Sequence, residues 1–215
     1  MQKVVILGAG GFAREVLWVF REDNKVNRQW EVLGFIDENP ENHGKVICDL
    51  PILGGFEWFE MVDKSGIKVI CGVGSPRTKK YFVEKAESLG LKFCSVMEPN
   101  VRMSAYVEVG KGTIITAGNI ITTQVRIGNH VSVNLDCTLG HDDMIEDYCN
   151  IAPGAHISGN VTLREGVDIG TGAVILQGLT IGKWSIIGAG AVVIENVPDH
   201  VTAVGVPARV IKRHK

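Results

Sequence analysis

The sequence predicts two structural units, a small parallel α/β domain over residues 1–96 and a parallel β-helix over residues 97–215. Three observations lead to this fold class. Strand and helix patterns alternate in the first unit, a glycine-rich turn follows its first predicted strand, and apolar residues recur every six positions in the second unit. With 215 residues, of which 45% are hydrophobic, the chain has enough apolar side chains for a core in each unit.

The first unit begins with the apolar run Val4–Leu7, which is typical of a buried strand. The segment Gly8–Ala13 fits the pattern G-x-G-x-x-A, and the apolar residues Phe12, Val16, Leu17 and Phe20 then fall on one helical face. Further strands are predicted at Glu31–Ile36, Ile67–Val73 and Leu91–Val96, and helices at Phe56–Val62 and from Ser75 or Thr78 to Gly90. This alternation predicts a half-Rossmann domain with a parallel sheet.

The second unit is defined by a six-residue ladder that starts at Met97. Every sixth residue from there to Val193 is apolar, which makes 17 positions without one insertion. Small or β-branched residues mostly occupy the position four residues after each anchor, and glycine often follows the anchor directly. Period six matches neither 3.6 nor 3.5, so the pattern excludes an α-helix. It predicts short strands that pair with the next coil about 4.8 Å away, with tight turns between them.

The glycine-rich turn has three interpretations. It could hold a dinucleotide at the N-terminus of the helix, with Asp37 on a ribose hydroxyl. Because the β-helix begins before a second half-sheet could form, we favour one nucleotide or a nucleotide-sugar over NAD. A purely structural turn is the third interpretation, since a lone motif of this kind is weak evidence. The candidate substrate-binding residues of this unit are Gly8, Gly10, Gly11, Phe12, Asp37, Gly72 and Gly74.

These hexads resemble those of the left-handed β-helix acyltransferases. That resemblance implies three hexads, or 18 residues, per coil, and a homotrimer with the acyl-coenzyme A between neighbouring prisms. A half-Rossmann unit followed by such coils resembles the PglD/NeuD-like sugar acyltransferases, whose first domain binds the nucleotide of an activated sugar. The features that carry the resemblance are Gly8–Gly11, Asp37, the turn Gly72–Gly74 and the segment Gly205–Ala208.

The family motif is an asparagine seven residues before a histidine that is followed at once by an acid. It matches Asn134, His141 and Asp142. The resemblance implies that His141 is the general base, that Asp142 orients it, and that Asn134 helps to position the acceptor. The family usually has Glu after this histidine, so the reach of the shorter Asp142 is in question. Asn150 falls where PglD has a second histidine, and it can donate a hydrogen bond to an acyl carbonyl but cannot titrate.

An 18-residue coil also predicts which residues stack on His141. Gly159 should lie directly over it, leaving space for a thioester and exposing a backbone N–H as an oxyanion donor. Gln177 follows one coil later on the expected pantetheine path, and Ala189 falls in the family's coenzyme strip. Ordinary corner glycines are the alternative interpretation. Near the end of the chain, Arg209, Lys212 and Arg213 either meet the coenzyme phosphates or form a solvated basic tail. His130 and His156 are expected to be exposed polar residues on the prism.

Composition and spacing disfavour several other classes of function. A formal net charge of −2 argues against nucleic acid or an anionic membrane as partner. The five cysteines are odd in number and lack a C-x-x-C pair, which indicates a reduced, cytoplasmic protein. No run approaches the roughly 18 apolar residues of a membrane span. The coil histidines lack the four-residue spacing of the zinc ligands in γ-type carbonic anhydrases, so we expect no metal.

The sequence therefore predicts an enzyme that transfers the acetyl group of acetyl-CoA to the amine of a nucleotide-linked amino-sugar for surface glycan biosynthesis. We expect a cytoplasmic homotrimer. Two alternatives stay open: O-acetylation of a sugar or sialic-acid-type hydroxyl, and a non-catalytic protein that binds a sugar nucleotide.

Overall fold

The computed structural model describes residues 1–214. Its first unit is a six-stranded sheet of order β3-β4-β2-β1-β5-β6, parallel except for β3. The strands are β1 (Gln2–Leu7), β2 (Trp30–Ile36), β3 (Val46–Ile47), β4 (Leu50–Gly54), β5 (Ile67–Cys71) and β6 (Lys92–Phe93). The helices are α1 (Gly11–Val26), α2 (Trp58–Met61) and α3 (Pro76–Ser88), with a 3₁₀ turn at Pro40–Asn42.

The sheet differs from the predicted elements in two places. The predicted strand Leu91–Val96 is divided, because Lys92–Phe93 pairs with β5 whereas Val96–Met97 pairs with the next coil of the prism. The hairpin of β3 and β4 was not predicted. Its sequence, Val46–Gly54, carries a proline and short apolar runs rather than a clear alternation, and its strands lie at the sheet edge.

The second unit is a three-sided prism whose strands are two residues long up to β23. We call its sheets face 1, face 2 and face 3. Face 1 contains β7 (Val96–Met97), β10 (Ile114–Ile115), β13 (Ser132–Val133), β16 (Asn150–Ile151), β19 (Asp168–Ile169), β22 (Ile186–Ile187), β24 (Val201–Val204) and the antiparallel β25 (Arg209–Arg213). Face 2 contains β8 (Arg102–Met103), β11 (Ile120–Ile121), β14 (Thr138–Leu139), β17 (His156–Ile157), β20 (Val174–Ile175) and β23 (Val192–Val193). Face 3 contains β9 (Glu108–Val109), β12 (Arg126–Ile127), β15 (Met144–Ile145), β18 (Thr162–Leu163) and β21 (Thr180–Ile181).

The register between successive coils is 18 residues from β7 to β23, and it shortens to 16 where β22 pairs with β24. Thr138 pairs with His156, for example, and His156 pairs with Val174. The second residue of each strand is the hexad anchor and points into the prism, where the anchors from Ile115 to Val193 are buried together with the small residues of the turns. The anchors of the first coil, Met97 and Val109, are partly exposed because no coil covers them from below.

The first unit docks on face 1 and on the edge between faces 3 and 1. Helix α1 packs on Val96 and Ile114, which share a core cluster with Leu17 and Phe20. Along the edge, α3 lies over a column of residues 18 apart, where Lys80 contacts the rings of Tyr148 and Trp184. Face 2 and both of its edges lie away from α3. Most candidate site residues of the prism lie at these edges, whereas Asn150 and Arg209 lie in strands of face 1.

Between residues 1 and 214, no helix is both long and apolar enough to cross a lipid bilayer.

Candidate active site

His141 and Asp142 lie in the turn between faces 2 and 3. The Nδ1 atom of His141 is 2.8 Å from Oδ2 of Asp142, so the shorter acid does reach the imidazole. Both side chains are more than half exposed in the single chain, at 65% for His141 and 55% for Asp142. The contact with the carboxylate favours a proton on Nδ1 and leaves Nε2 as the free basic nitrogen.

The backbone of this turn explains the placement of the pair. Asp142 adopts a left-handed conformation with φ of 62°, which Asp tolerates better than most residues. Its N–H donates to the carbonyl of Thr123 in the coil below, and the N–H of Asn160 in the coil above donates to the carbonyl of His141. The turn is therefore tied into the ladder on both sides, which orients the imidazole.

Gly159 lies over the imidazole ring, as the 18-residue register predicts. A Cβ atom at this position would come within 2.5 Å of Nε2 and 2.6 Å of Cε1 of His141. The φ of Gly159 lies outside the left-handed region, so the requirement for glycine is spatial rather than conformational. Its N–H donates no hydrogen bond to residues 1–214.

Asp143 is a buried acid that the sequence interpretation overlooked. It occupies a turn position that carries small or apolar residues in most hexads, and it is only 1% exposed. Its Oδ1 accepts the N–H of Val161 at 2.8 Å, whereas its Oδ2 has no hydrogen-bond partner among the described residues. Burial raises the pKa of this carboxyl to about 7. Its position in the hexad ladder was the signal that could have identified it.

A second group of site residues lies near the edge between faces 1 and 2. Asn134 follows β13 and is 7% exposed. Its Nδ2 donates to Oδ1 of Asn150 at 3.1 Å and to the carbonyl of Ile151 at 2.8 Å. Nδ2 of Asn150 donates in turn to Oδ1 of Asp168 at 2.8 Å. Asn134 and His141 therefore lie in different turns, on opposite sides of face 2.

The predicted coenzyme residues divide between the same two edges. Gln177 is exposed and follows Gly159 by one coil in the column of His141. Ala189 is exposed at the edge between faces 1 and 2, with its N–H close to Gly170 in the coil below. Arg209 begins β25 and is exposed, with Nη1 on the carbonyl of Ala208. No single turn of this chain brings these three residues together.

The glycine turn of the first unit has close backbone contacts that explain its composition. Gly8 adopts φ of 98° and precedes α1, whose N-cap position is Gly10. A Cβ on Gly72 would lie 2.7 Å from the Cα of Ala13, so this residue lets β5 approach α1 closely. Gly11 begins α1, and Gly74 has open space around its Cα. The turn thus leaves the N-terminus of a 16-residue helix free of side-chain caps.

Asp37 and Phe12, the other two predicted binding residues of the first unit, also contact other residues of this unit. Asp37 accepts hydrogen bonds from the N–H of Asn39 at 2.9 Å and from Nδ2 of Asn42 at 3.0 Å, so it organises the loop after β2. It also lies beside the glycine turn, since Gly8 N–H donates to the carbonyl of Ile36. Phe12 is half-buried and packs against the core beneath α1.

The two other coil histidines differ from one another. His156 is exposed on face 2, where its Nδ1 is 3.0 Å from Oγ1 of Thr138. The expectation that His130 is exposed was wrong, because His130 is 2% exposed, stacked on Tyr148 and packed against the edge of Phe93. Burial lowers the pKa of His130 to about 4. Sequence periodicity could not show this burial, because it results from docking of the first unit.

A cleft of about 550 Å³ adjoins the His141 turn on its N-terminal side, with Tyr106, Gln124, Arg126 and Asp142 in its lining. No group of three or more His, Cys, Asp or Glu side chains within residues 1–214 is arranged to hold a metal ion.

Comparisons with known proteins decide the family. Residues 3–86 match the model of the PglD N-terminal domain. The whole chain is similar to GDP-perosamine N-acetyltransferase of Escherichia coli O157:H7, with 32% identity over 97% of this chain and 96% of the relative. The chain therefore belongs to the PglD-like sugar acyltransferase family.

Solved structures of this family have the same arrangement of two units. PerB of Caulobacter crescentus, determined in complex with CoA and GDP-perosamine, superimposes with a TM-score of 0.90 at 28% identity, covering 98% of this chain and 97% of PerB. The acetyltransferase domain of PglB of Neisseria gonorrhoeae, in complex with acetyl coenzyme A, superimposes with a TM-score of 0.89 at 28% identity, covering 98% and 99%. The predicted fold class, a Rossmann-like domain followed by a β-helix, is confirmed, as is the predicted resemblance to PglD-like acyltransferases.

Proposed function

We propose that this protein transfers the acetyl group of acetyl-CoA to the amine of a nucleotide-linked amino-sugar that is destined for a surface glycan. The observation that carries the proposal is the His141–Asp142 pair beneath the open backbone of Gly159. The E. coli relative is named a GDP-perosamine N-acetyltransferase, and PerB was determined with CoA and GDP-perosamine, which favours an amine over a hydroxyl acceptor.

The chemistry follows from the three groups in this turn. The acceptor nitrogen attacks the thioester carbonyl carbon while Nε2 of His141 takes its proton. The carbonyl oxygen gains negative charge, which the N–H of Gly159 stabilises. The tetrahedral intermediate then breaks its C–S bond, and the imidazolium returns the proton to the leaving thiolate. Asp142 holds the proton on Nδ1 and stabilises the imidazolium, as a carboxylate does beside a catalytic histidine.

The distribution of residues over two edges supports a homotrimer. Gly159 and Gln177 continue the His141 column along one edge of face 2, whereas Asn134, Asn150 and Ala189 lie beside the other edge. When the face-2 edges of neighbouring copies meet, the acetyl-CoA lies between a His141 column and an Asn134 edge of two different subunits. The exposed apolar side chains Ile120, Leu176 and Ile194 on or beside face 2 suit such a contact. Arg209 would then meet the coenzyme phosphates.

The acceptor nucleotide is assigned to the first unit. Gly8, Gly10 and Gly11 open the uncapped N-terminus of α1, where backbone N–H groups and the helix dipole favour phosphate. Asp37 lies beside them for a ribose hydroxyl, and Gly72–Gly74 provides the opposite side of the turn. We assign the reaction to the cytoplasm, in agreement with five free cysteines, four of which are buried.

The deciding experiment measures free-thiol release from acetyl-CoA with UDP-, GDP- and dTDP-linked 4-amino-sugars and with hydroxyl-only analogues. We expect turnover with an amino-sugar and little with its hydroxyl analogue. The His141→Ala variant should lower kcat by roughly 10²–10⁴-fold, because it removes the general base, while coenzyme binding persists. Unchanged turnover in this variant would refute the role of His141, and preferred turnover of hydroxyl acceptors would refute the choice of an amine.

A further inference from the structure

The polar side chains between the two units form a directed chain of hydrogen bonds that ends at Asn134. Asp168 accepts from Nδ2 of Asn150, and Oδ1 of Asn150 accepts from Nδ2 of Asn134. Asp168 and Asn150 are in register on neighbouring strands β19 and β16, and Asn134 lies next to the following strand, β13. The chain of hydrogen bonds therefore runs across face 1 to the edge between faces 1 and 2.

The polarity of this chain is set by its acceptor-only members. A carboxylate can only accept, so Asp168 requires the amide nitrogen of Asn150 to face it. The amide oxygen of Asn150 must then face Asn134. The carbonyl of Ile151 independently requires the amide nitrogen of Asn134, because a backbone carbonyl also only accepts. Both amide orientations thus follow from hydrogen-bond chemistry.

A buried cation favours the ionised form of Asp168. Lys79 of α3 is 1% exposed and donates to Oγ of Ser132 at 2.7 Å, in the column of Asn150 and Asp168. Burial raises the pKa of Asp168, and the hydrogen bond from Asn150 and the charge of Lys79 oppose that rise. In this column Ser132, Asn150 and Asp168 are consecutive, and Ile114 and Ile186 flank them.

One atom of the chain is left for a ligand. Oδ1 of Asn134 accepts no hydrogen bond from residues 1–214. This oxygen is also accessible to solvent, because the fully buried side-chain atoms without a hydrogen-bond partner among the described residues belong to His130 and Asp143. The chain of hydrogen bonds therefore ends in an accessible acceptor atom, Oδ1 of Asn134, and not in a donor.

We propose that Asp168 is a positioning residue that acts through Asn150 to hold the Asn134 amide with its oxygen toward the acceptor substrate, where it receives a hydrogen bond from the nucleophilic amine. This inference rests on the proposed function. It assigns substrate orientation to a residue in the docked interface, two coils from Asn134 along the prism. The amine then donates one hydrogen to Asn134 and keeps its lone pair for attack.

The test is a double-mutant cycle on the acceptor KM. Asp168→Leu removes the acceptor at the start of the chain and suits a column that already holds isoleucines. It should raise the KM for the nucleotide-linked amino-sugar about tenfold, which corresponds to one hydrogen bond of typical strength, and leave the KM for acetyl-CoA within about twofold. Asp168→Asn retains an acceptor oxygen and should restore the acceptor KM to within about threefold of the wild type.

The cycle uses Asn134→Ala as its second variant. If Asp168 acts through the Asn134 amide, Asp168→Leu has no further effect on the acceptor KM once that amide is gone. Multiplicative effects of the two substitutions, or an unchanged acceptor KM in Asp168→Leu, would overturn the inference while leaving the proposed function intact. Absence of thiol release by the wild-type protein with every amino-sugar of the panel would instead refute the proposed function, and the inference with it.

Discussion

Asp143 should make the stability of this protein fall as the pH rises toward neutrality. The pKa of its carboxyl is raised from 3.8 to about 7 because the group is buried inside the prism. In the unfolded chain, Asp143 loses its proton near pH 4, whereas the folded chain retains that proton until about pH 7. Between these values the folded state binds one proton more than the unfolded state, so raising the pH reduces the free energy of unfolding.

The magnitude follows from the shift in proton affinity. Each tenfold change corresponds to about 1.36 kcal/mol, so a pKa moved from 3.8 to about 7 corresponds to about 4 kcal/mol. Asp143→Asn removes this titration and keeps an oxygen that accepts the N–H of Val161. Its new Nδ2 takes the place of the unpaired Oδ2, which adds a constant cost of about 1–3 kcal/mol at every pH. The effect of Asp143 therefore lies in the pH dependence and not in the absolute stability.

The assay compares unfolding midpoints of wild type and Asp143→Asn from pH 4.5 to pH 8 at one protein concentration. The difference should move in favour of the variant by about 10 °C across this range, since about 1 kcal/mol shifts the midpoint of a chain this size by about 2–4 °C. Asp136→Asn is the matched control, because Asp136 lies in the same coil with an exposed side chain. If the difference in unfolding midpoint between Asp143→Asn and the wild type changes with pH no more than the difference for the control, the assignment of Asp143 as a buried, protonated acid is refuted.

Three further predictions concern the site and its surroundings. Gly159→Ala should lower kcat at least 10²-fold without unfolding the protein, because the new Cβ lies within 2.5 Å of Nε2 of His141. Thiol release measures the turnover and circular dichroism measures the folding. Near-normal turnover would exclude the stacked geometry. Asp37→Ala should raise the KM for the nucleotide-sugar and leave that for acetyl-CoA unchanged, whereas equal effects on both would count against the role of the first unit. His130 has a pKa lowered from 6.5 to about 4, so the wild type should lose up to about 3 kcal/mol as the pH falls between these values. His130→Phe should lack that loss in urea unfolding, and an equal acid-side loss in both proteins would contradict it.

The prism and its stacking were predictable because the repeat has no insertion. The unbroken period of six, together with the three hexads per coil that the family resemblance implies, assigns each residue to a column and correctly predicts that Gly159 lies on His141. The hexad pattern could also have identified Asp143, because small or apolar residues occupy its turn position in most other hexads. Where the pattern is strictly periodic and the coil length is known, the sequence predicts which residues are neighbours.

The contacts between the units were not predictable, because they depend on how a helix docks on a prism edge. His130 was expected to be exposed, and no pattern in the sequence marks Lys79 as buried, yet each is at most 2% exposed. Ser132 contacts Lys79 and Phe93 contacts His130 across the boundary between the units, and neither contact follows from the hexad period. For the same reason, the hydrogen bonds that link Asp168, Asn150 and Asn134 cannot be predicted without side-chain positions.

The strands and the turns of the prism carry different kinds of residue, and this determines which positions of the site can be substituted. The two-residue strands carry the anchors and the ladder, whereas His141, Asp142 and Gly159 all lie in turns. Each further coil repeats the same turn about 4.8 Å along the axis, so equivalent turn positions of successive coils are evenly spaced along the prism. Substitutions at these turn positions leave the buried anchors of the strands in place, because the anchors and the turn residues occupy different positions of each hexad.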